Sequence, residues 1–284
     1  MKSKILVTGS AGFIGTKLVK KLKSEYNIVG YDLLEGNDVR DKYKLDDLFQ
    51  KENFDTIIHL SARAGVRMGE EYPEEFISTN INGTLNLTKM AKKYNIKHFI
   101  FFSSSAVYGE HPSPNKETDE LQQIGVYGAS KAMGETLVTS CGVPYTIIRP
   151  FTVYGENGRL DQVIFKWIEQ IKADIPITIF GDGSSKRGYT YVHDLIDGVK
   201  KVVELGAENE TYNLGGNEII SLSQLVELFK PYTDNFKYLP LPKEDIPENW
   251  GDISKAERIG FKPTQDFVKN VTNILKEEFS KTTI

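Results

Sequence analysis

The segment Thr8–Gly15 constrains the fold more than any other part of the sequence. Its residues are Thr-Gly-Ser-Ala-Gly-Phe-Ile-Gly, and they lie between the short apolar run Lys4–Val7 and an amphipathic stretch over Gly12–Ser24. Glycines spaced G-x-x-G-x-x-G allow a tight turn, a close approach of the backbone to an anion, and close packing of a helix on a strand. The free N–H groups of the helix N-terminus attract a phosphate group. A glycine turn that binds nothing is the competing interpretation, which the strand–turn–helix context disfavours.

An aspartate at the end of the second predicted strand indicates which dinucleotide this turn would hold. Asp32 follows the strand Ile28–Tyr31. A carboxylate at this place accepts hydrogen bonds from the adenosine ribose and repels a 2′-phosphate. The next residues are Leu33 and Leu34 rather than an arginine or lysine. The pattern therefore predicts NAD rather than NADP, with a surface turn aspartate as the alternative.

The first half of the chain alternates short apolar runs with amphipathic stretches, which is typical of a parallel sheet with helices on both faces. Further strands are predicted at Thr56–Leu60, His98–Ser103 and Tyr145–Arg149, and helices near Tyr43–Gln50, Glu74–Tyr94 and Val126–Ser140. Only the segment Leu33–Lys42 separates the second strand from the next helix, whereas a parallel crossover needs about a dozen residues. We therefore predict an α/β fold, a doubly wound Rossmann sheet that lacks one strand after the second.

The composition changes after Pro150, where proline and glycine become more frequent and the predicted elements become shorter. These elements are helices at Gln162–Ile171, Val192–Leu205, Ser221–Phe229 and Thr264–Phe279, and strands at Ile177–Phe180 and Thr211–Leu214. We predict an NAD-binding domain over residues 1–155. Residues 156–284 would mostly form a smaller substrate-binding cap, with segments that return to the sheet.

The composition excludes several classes of function. The formal net charge is -4 and the pI is about 5.7, which argues against a nucleic-acid partner because such a partner needs a basic face. No apolar run is long enough to span a membrane. Cys141 is the single cysteine, so no internal disulfide can form and a reducing cytoplasm is the expected location.

Tyr127 and Lys131 are four residues apart at the start of a predicted helix and therefore share one face. An ammonium group and a cationic nicotinamide near a phenol favour the phenolate, which can act as a base. This pair alone is a weak motif, because a solvated helix face gives the same pattern. The strand that ends in Ser103-Ser104-Ser105 adds a serine at the edge of the sheet where such folds bind ligands.

With these features in order, the chain resembles the extended short-chain dehydrogenase/reductases, in their NAD-dependent epimerase/dehydratase branch. The resemblance covers almost the whole length, and within the branch the sequence is most similar to UDP-sugar 4-epimerases. The segments that carry it are TGSAGFIG, DVRD at 38–41, HLSARAGVR at 59–67, NINGTLNL at 80–87, FFSSSAVYG at 101–109, YGASK at 127–131, RPFTVYG at 149–155, GDGSSKRGYTYVHD at 181–194 and DISKAERIGFKP at 252–263.

The resemblance implies a role for particular residues. The catalytic residues would be Ser104, Tyr127 and Lys131. The cofactor would be held by Gly9, Gly12, Phe13, Ile14, Gly15, Asp32, Asp38, Val39, Leu60, Ala62, Asn80, Tyr127, Lys131, Pro150 and Val153, with Asn80 near the phosphates. The UDP-sugar would meet Ser104, Ser105, Thr152, Arg159, Arg187 and Asp245. No cluster of Cys and His indicates a metal. In the family mechanism, Tyr127 takes the proton of the sugar 4-hydroxyl while NAD oxidises C4, and the 4-keto sugar then turns over before reduction on its other face.

The resemblance implies a 4-epimerase for UDP-glucose or UDP-N-acetylglucosamine, with a UDP-glucuronate 4-epimerase as the alternative. A 4,6-dehydratase is disfavoured because Ser105 and Ala106 stand where dehydratases carry an Asp-Glu pair. Decarboxylases and reductases rank lower, and a non-catalytic NAD-binding protein is disfavoured because Tyr127 and Lys131 are both present. The family commonly forms dimers through the helices predicted at Glu74–Tyr94 and Val126–Ser140, so a homodimer is expected.

Several positions leave the sugar open. Arg159 matches an arginine that holds the substrate carboxylate in uronate epimerases, but a surface arginine is an equal alternative, and Ala106 lacks the hydroxyl that uronate enzymes tend to have there. Pro242 stands where epimerases often have an arginine, three residues before Asp245, and Lys243 could supply the positive charge of that arginine. Arg63 and Arg67 could recognise an anionic sugar or could be structural.

Overall fold

The computed structural model describes residues 2–206, 209–242 and 245–280. The strands are β1 (Lys4–Thr8), β2 (Asn27–Tyr31), β3 (Thr56–His59), β4 (His98–Phe102), β5 (Tyr145–Pro150), β6 (Val153–Tyr154), β7 (Ile177–Phe180), β8 (Lys186–Tyr191), β9 (Glu210–Leu214), β10 (Glu218–Ser221), β11 (Phe236–Leu239) and β12 (Glu248–Asn249). The helices are α1 (Phe13–Leu22), α2 (Lys42–Lys51), α3 (Val66–Glu71), α4 (Pro73–Phe76), α5 (Gly83–Lys93), α6 (Gly125–Thr139), α7 (Val163–Lys172), α8 (Val192–Leu205), α9 (Leu222–Phe229), α10 (Ser254–Arg258) and α11 (Phe267–Ser280). Among these residues no helix combines the length and the apolarity that are needed to cross a membrane.

The main sheet has the strand order β2-β1-β3-β4-β5-β9, and all its pairs are parallel. The predicted loss of one strand is confirmed, because β2 is the edge strand and Leu33–Asp41 contains only the short 3-10 turn Leu33–Glu35. Asp41 caps α2 by accepting hydrogen bonds from the backbone N–H groups of Tyr43 and Lys44. The helix α2 therefore follows this short segment directly and connects β2 to β3, on the other side of β1.

Two apolar layers cover the faces of this sheet. Leu18, Leu195 and Val199 lie in the layer that α1 and α8 form on one face. Leu45 and Leu87 belong to the layer on the other face, where α2 and α5 pack. Such strands are buried on both sides, which explains their nearly continuous apolar runs. β9 returns from the second half of the chain, as predicted near Thr211–Leu214.

The cap has a hydrophobic core of its own. It is built around Trp167, Phe229 and Phe267 from α7, α9 and α11. The cap also has a small sheet in the order β10-β8-β12, with β6 paired to β8, and the two-stranded sheet β11-β7. β8, β10, β11 and β12 were not predicted, because these short strands lack a clear hydrophobic alternation.

The predicted helix Glu74–Tyr94 is not one regular α-helix. It comprises α4, a wider π-helical stretch over Ile77–Asn82, and α5. Extra backbone in a π-helical turn is frequent at functional sites. Here the stretch carries Asn80, whose side chain points into the protein interior.

Candidate active site

A cavity of about 650 Å³ lies between the carboxyl edge of the main sheet and the cap. The predicted site residues in its wall are Gly9, Gly12, Phe13, Ile14, Gly15, Asp32, Asp38, Val39, Leu60, Ala62, Ser104, Ser105, Tyr127, Lys131, Pro150, Thr152, Val153, Arg159, Arg187 and Asp245. The fold therefore brings together residues from nearly the whole length of the chain. Open α/β sheets bind their ligands at this edge.

The glycine turn between β1 and α1 is closely packed. Gly9 adopts a positive φ of 72°, which a residue with a side chain rarely adopts. A Cβ atom on Gly15 would lie only 2.0 Å from the carbonyl oxygen of Gly9, so only glycine lets α1 start this close to the turn. Gly12 precedes α1 without any side-chain cap. The first N–H groups of the helix consequently face the cavity ready for an anion.

Asp32 is buried at the end of β2 and is held by the backbone. One carboxylate oxygen accepts a hydrogen bond from the N–H of Ala11 at 2.9 Å, and the other accepts one from Leu34 at 2.9 Å. Arg40 also lines this end of the cavity, but its guanidinium forms an ion pair with Asp38 at 2.5 Å. This pair holds the pKa of Asp38 below its usual value. The guanidinium of Arg40 thus already has a carboxylate partner, which is consistent with the preference for NAD over NADP.

The catalytic residues that were predicted from sequence meet at the start of α6. The Ser104 hydroxyl lies beside the Tyr127 phenol and acts on the pKa of that phenol. Ser104 is oriented by its neighbour, because its oxygen also accepts a hydrogen bond from the N–H of Ala106 at 3.1 Å. A Cβ atom on Gly128 would lie 2.7 Å from the Ala106 carbonyl oxygen. The absence of a side chain at Gly128 therefore lets α6 approach the turn that carries Ser104.

The electrostatics of the pair differ from the expectation drawn from the sequence. Burial raises the pKa of Tyr127, while the Ser104 hydroxyl and the positive charge of Arg159 oppose that effect. Burial also lowers the pKa of Lys131 to about 7, with the negative charge of Glu135 acting in the opposite direction. The phenol therefore keeps its proton in the protein alone, and a bound cation beside it is needed to favour the phenolate.

The opposite end of the cavity carries charged groups from the cap. Arg187 is anchored by backbone carbonyls, since its guanidinium donates to the oxygens of Ile246 at 2.7 Å and Pro247 at 3.2 Å. Asp245 accepts a hydrogen bond from Arg67 at 2.6 Å. The Arg67 guanidinium also lies 4.0 Å from the centre of the Phe180 ring. Arg67 thus ties α3 to the cap instead of lining the cavity.

Arg159 is a partly exposed loop residue that lines the cavity, where its charge acts on Tyr127. Its Nε donates to one oxygen of Asp161 at 2.9 Å, and its Nη2 donates to the other oxygen. Both residues line the cavity, and both charges act on the pKa of Tyr127. The guanidinium is therefore oriented by a carboxylate of the same loop, close to the reacting group.

Asn80 is not among the residues of the cavity wall, and its expected place near the cofactor phosphates stays a prediction. Its oxygen accepts from the N–H of Arg63 at 2.7 Å, and its nitrogen donates to the Arg63 carbonyl and to the Ser130 hydroxyl, both at 2.9 Å. These bonds satisfy a buried amide on both sides, so Asn80 ties the loop after β3 to α6.

The sequence left the roles of Arg63 and Lys243 open. Arg63 lines the cavity and forms an exposed ion pair with Glu75 at 2.9 Å. Lys243 lies outside the residues that the structure describes, so its suggested role as a substitute for an arginine stays a prediction.

Asn249 is a cavity residue that the sequence reasoning missed. It is only 8% exposed, and its amide nitrogen donates to the Ser105 hydroxyl at 3.3 Å. Its amide oxygen has no hydrogen-bond partner among the described residues. An unsatisfied buried oxygen that faces a cavity is suited to accept a hydrogen bond from a ligand. Only its position four residues after Asp245 could have drawn attention to it in the sequence.

His59 is a packed histidine on the buried strand β3. Its ring nitrogens are hydrogen-bonded to the hydroxyls of Thr8 at 2.7 Å and Thr84 at 3.0 Å. Burial and the charge of Lys131 lower the pKa of His59 to about 3. Across the described ranges, His, Cys, Asp and Glu side chains form no group that could hold a metal ion.

Comparisons with known proteins agree with this geometry. A family model described as the NAD dependent epimerase/dehydratase family matches residues 5–215. A UDP-glucuronate 4-epimerase of Thermodesulfobacterium geofontis is 35% identical, over 89% of this chain and 89% of that protein.

Two solved structures are similar over almost the whole chain. A UDP-glucuronic acid 4-epimerase from Bacillus cereus, in complex with UDP-glucuronic acid and NAD, has a TM-score of 0.88 and 30% identity, covering 96% of this chain and 99% of the other. A UDP-glucose 4-epimerase of Thermotoga maritima, solved with UDP-glucose, has a TM-score of 0.90 and 29% identity, covering 99% of this chain and 100% of the other. The matched family model spans the glycine turn, Asp32, Ser104, Tyr127 and Lys131. This chain therefore belongs to the NAD-dependent epimerase/dehydratase family.

Proposed function

We propose that this protein is an NAD-dependent UDP-sugar 4-epimerase and that its preferred substrate is a UDP-hexuronate such as UDP-glucuronate. The observation that carries the choice of sugar is the place of Arg159, which lies in the cavity beside Tyr127. A guanidinium held by one carboxylate can contact a second one through its remaining N–H groups. The relatives include 4-epimerases for both UDP-glucuronate and UDP-glucose.

The cavity residues fit an NAD dinucleotide. The glycine turn and the uncapped N-terminus of α1 would hold the pyrophosphate, and Asp32 would accept hydrogen bonds from the adenosine ribose. When bound, NAD supplies the redox chemistry at sugar C4. The nicotinamide would lie near Pro150 and Val153, next to Tyr127 and Lys131.

The proton chemistry belongs to Tyr127. Its phenolate would take the proton from the sugar 4-hydroxyl, and the phenol would return it after the 4-keto sugar has turned over. Ser104 would donate a hydrogen bond to the same sugar oxygen or to Tyr127 and so keep the two aligned. Lys131 would place its positive charge beneath this pair, since it is buried on the same face of α6.

Dehydration is disfavoured because the cavity lacks a free acid–base pair. Among the described residues, the carboxylates in the cavity wall are Asp32, Asp38, Asp161 and Asp245. Each is already held by backbone N–H groups or by an arginine. Ser105 and Ala106 lie in the turn after β4 and offer neither acid nor base. Epimerisation needs only Tyr127 as acid and base.

UDP-glucose is the second candidate substrate, and a specific observation favours it. The charge of Arg159 is already matched by Asp161, so a uronate would bring a second negative charge to the pair. Ala106 also offers no hydroxyl to a substrate carboxylate. Asn249 could accept a hydrogen bond from a hydroxyl of either sugar.

The proposal is tested by an NMR assay of UDP-glucuronate, UDP-glucose and UDP-N-acetylglucosamine with the wild type and with Arg159→Gln. We expect UDP-glucuronate to be the best wild-type substrate, and Arg159→Gln to lower kcat/KM for it by about 100-fold while changing UDP-glucose by less than about threefold. Arg258→Gln is the matched control, because Arg258 is exposed on α10 away from the cavity. Equal losses for both sugars would reject the carboxylate role, and absence of any epimer would reject the function.

We further propose that the protein is a cytoplasmic homodimer. The absence of a disulfide partner for Cys141 suits a reducing compartment. The large exposed apolar side chains Met68, Tyr72, Ile77 and Met133 lie on neighbouring helical segments, from α3 to α6. Exposed apolar groups of this kind mark association surfaces, and the family dimers use helices that correspond to this region.

A further inference from the structure

The helix that carries Tyr127 and Lys131 has a third polar residue on the same stripe. Glu135 follows Lys131 by four residues on α6, and both are buried, at 6% and 4% exposure. A lysine and a glutamate four apart on a helix ordinarily attract each other as an ion pair. In a buried setting this attraction is stronger than at the surface. The catalytic lysine thus has a competing anion one helical turn away.

This anion is fully engaged by another residue. Arg149 at the end of β5 forms a two-point contact with Glu135, from Nε to Oε1 at 2.9 Å and from Nη2 to Oε2 at 2.7 Å. The Ser103 hydroxyl donates to the same Oε1. Arg149 is itself fixed on its other side, since Nη1 donates to the Tyr108 hydroxyl at 2.9 Å. Planar two-point pairing of this kind is strong and directional.

Lys131 consequently has no carboxylate partner within the described part of the chain. Its ammonium lies over the Phe101 ring, 4.9 Å from the ring centre, and makes no ion pair. It also lines the cavity. An unpaired ammonium in the cavity wall can act on Tyr127 and on a ribose, whereas an ammonium paired with Glu135 would be directed away from both.

We infer that Arg149 is a positioning residue for the epimerase reaction, which holds Glu135 in a buried ion pair and thereby leaves Lys131 free for the active site. Arg149 does not line the cavity and would touch neither substrate nor cofactor. It acts through Glu135 on Lys131. The role is additional to the family assignment and holds whichever UDP-sugar is preferred.

The protonation of Lys131 depends on the charged and titratable side chains near it. Titratable or charged side chains approach Lys131 and its face of α6 from several elements. They are Tyr127 and Glu135 on α6, His59 on β3, Arg149 on β5, Glu70 on α3, and the pair Arg159 and Asp161 beside Tyr127. Glu70 accepts a hydrogen bond from the N–H of Val126. His59 is neutral near pH 7 because of its lowered pKa. Arg149 therefore offsets part of the negative charge of Glu135, and the remainder raises the pKa of Lys131.

The test is a double-mutant cycle with Arg149→Gln, Glu135→Gln and the double variant. Arg149→Gln frees the Glu135 carboxylate, so we expect Lys131 to turn toward it and kcat to fall about 100-fold. The double variant removes both charges, and we expect its kcat to be at least about tenfold higher than that of Arg149→Gln. A purely structural role would change stability but not turnover, because an unpaired buried carboxylate destabilises the fold whatever Lys131 does. It predicts that kcat per folded molecule, with folding followed by circular dichroism, is unchanged in Arg149→Gln. That outcome would overturn the proposal.

Glu135→Gln gives a second readout if Arg149→Gln fails to fold. It leaves Arg149 as an uncompensated cation near Lys131, so Lys131 should lose its proton at lower pH. We expect the alkaline limb of the kcat profile to move down by about one pH unit. Tyr108→Phe is the matched control, because it removes a hydrogen bond of Arg149 without touching the Glu135 contact, and its pH profile should match the wild type. An unshifted limb in Glu135→Gln would contradict the inference.

Discussion

At the scale of single residues, Tyr127 is defined by what surrounds it more than by its spacing from Lys131. Tyr127 is half-buried, and its phenol lies beside the Ser104 hydroxyl and near the charge of Arg159. Burial disfavours the phenolate, and the nearby hydroxyl and charge favour it. The pKa of Tyr127 is therefore set by a balance that a bound cation can shift toward the phenolate.

Tyr127→Phe tests this role directly. The variant keeps the ring and its packing against Phe76 but lacks the oxygen that takes the proton. We expect kcat to fall by about 1,000-fold while the affinity for NAD changes by less than about threefold. Turnover is measured by NMR, and NAD binding by fluorescence titration. Tyr43→Phe is the control, because Tyr43 is 77% exposed on α2. Near-normal turnover in Tyr127→Phe would remove Tyr127 as the base.

At the scale of elements, the site depends on how α6 and the loop after β3 are fastened to each other. Gly128 lets α6 approach the turn after β4, and Asn80 joins the loop to α6 through its bonds with Arg63 and Ser130. The cavity residue Ala62 lies in that loop next to Arg63. The Asn80 side chain thus helps to fix the loop that forms this part of the cavity wall.

Asn80→Leu should show this indirect effect. Leucine keeps a similar volume but leaves the backbone groups of Arg63 without partners, so we expect a loss of about 2–3 kcal/mol in the free energy of unfolding. The affinity for NAD should fall about tenfold as the loop loosens. Urea unfolding and fluorescence titration measure the two effects. Gln170→Leu is the control, because Gln170 is also a partly buried amide that bonds backbone groups, but those groups belong to Pro176 and Thr178, which do not line the cavity. Unchanged NAD affinity in a folded Asn80→Leu protein would argue against a role for Asn80 in the site.

At the scale of the whole molecule, a dinucleotide sheet and a smaller cap enclose the cavity between them. Segments of the second half return to the first, as β9 does when it pairs with β5. The division at residues 155 and 156 remains a prediction, since the chain crosses between the two parts more than once. The dimer is a proposal at this same scale.

Met133→Glu tests the dimer. Met133 is 45% exposed on α6, so a glutamate there should be tolerated in a monomer but should repel its copy across an apolar interface. We expect the wild type to have twice the chain mass by light scattering at micromolar concentration, and Met133→Glu to have the mass of one chain. Val268→Glu on α11 is the matched control, since Val268 is 49% exposed and far along the chain from this surface. A wild type that has the mass of a single chain would contradict the proposal.

The sequence by itself determined the features that depend on local spacing. The glycine turn, Asp32 at a strand end, the short connection Leu33–Lys42 and the Tyr127–Lys131 pair each lie within a few residues, so backbone geometry relates them directly to structure. The fold class and the family followed from those patterns. The short strands of the cap did not, because they pair with distant partners and lack a periodic pattern.

Only the tertiary structure decided which distant side chains meet. It placed Arg159 near Tyr127, joined Asn80 to Arg63, brought Asn249 to Ser105, and paired Arg149 with Glu135. Each of these contacts joins residues from different elements, and its strength depends on burial and orientation that spacing along the chain does not reveal. The pair Tyr127 and Lys131 was therefore predictable from sequence, while the groups that control their charges were not.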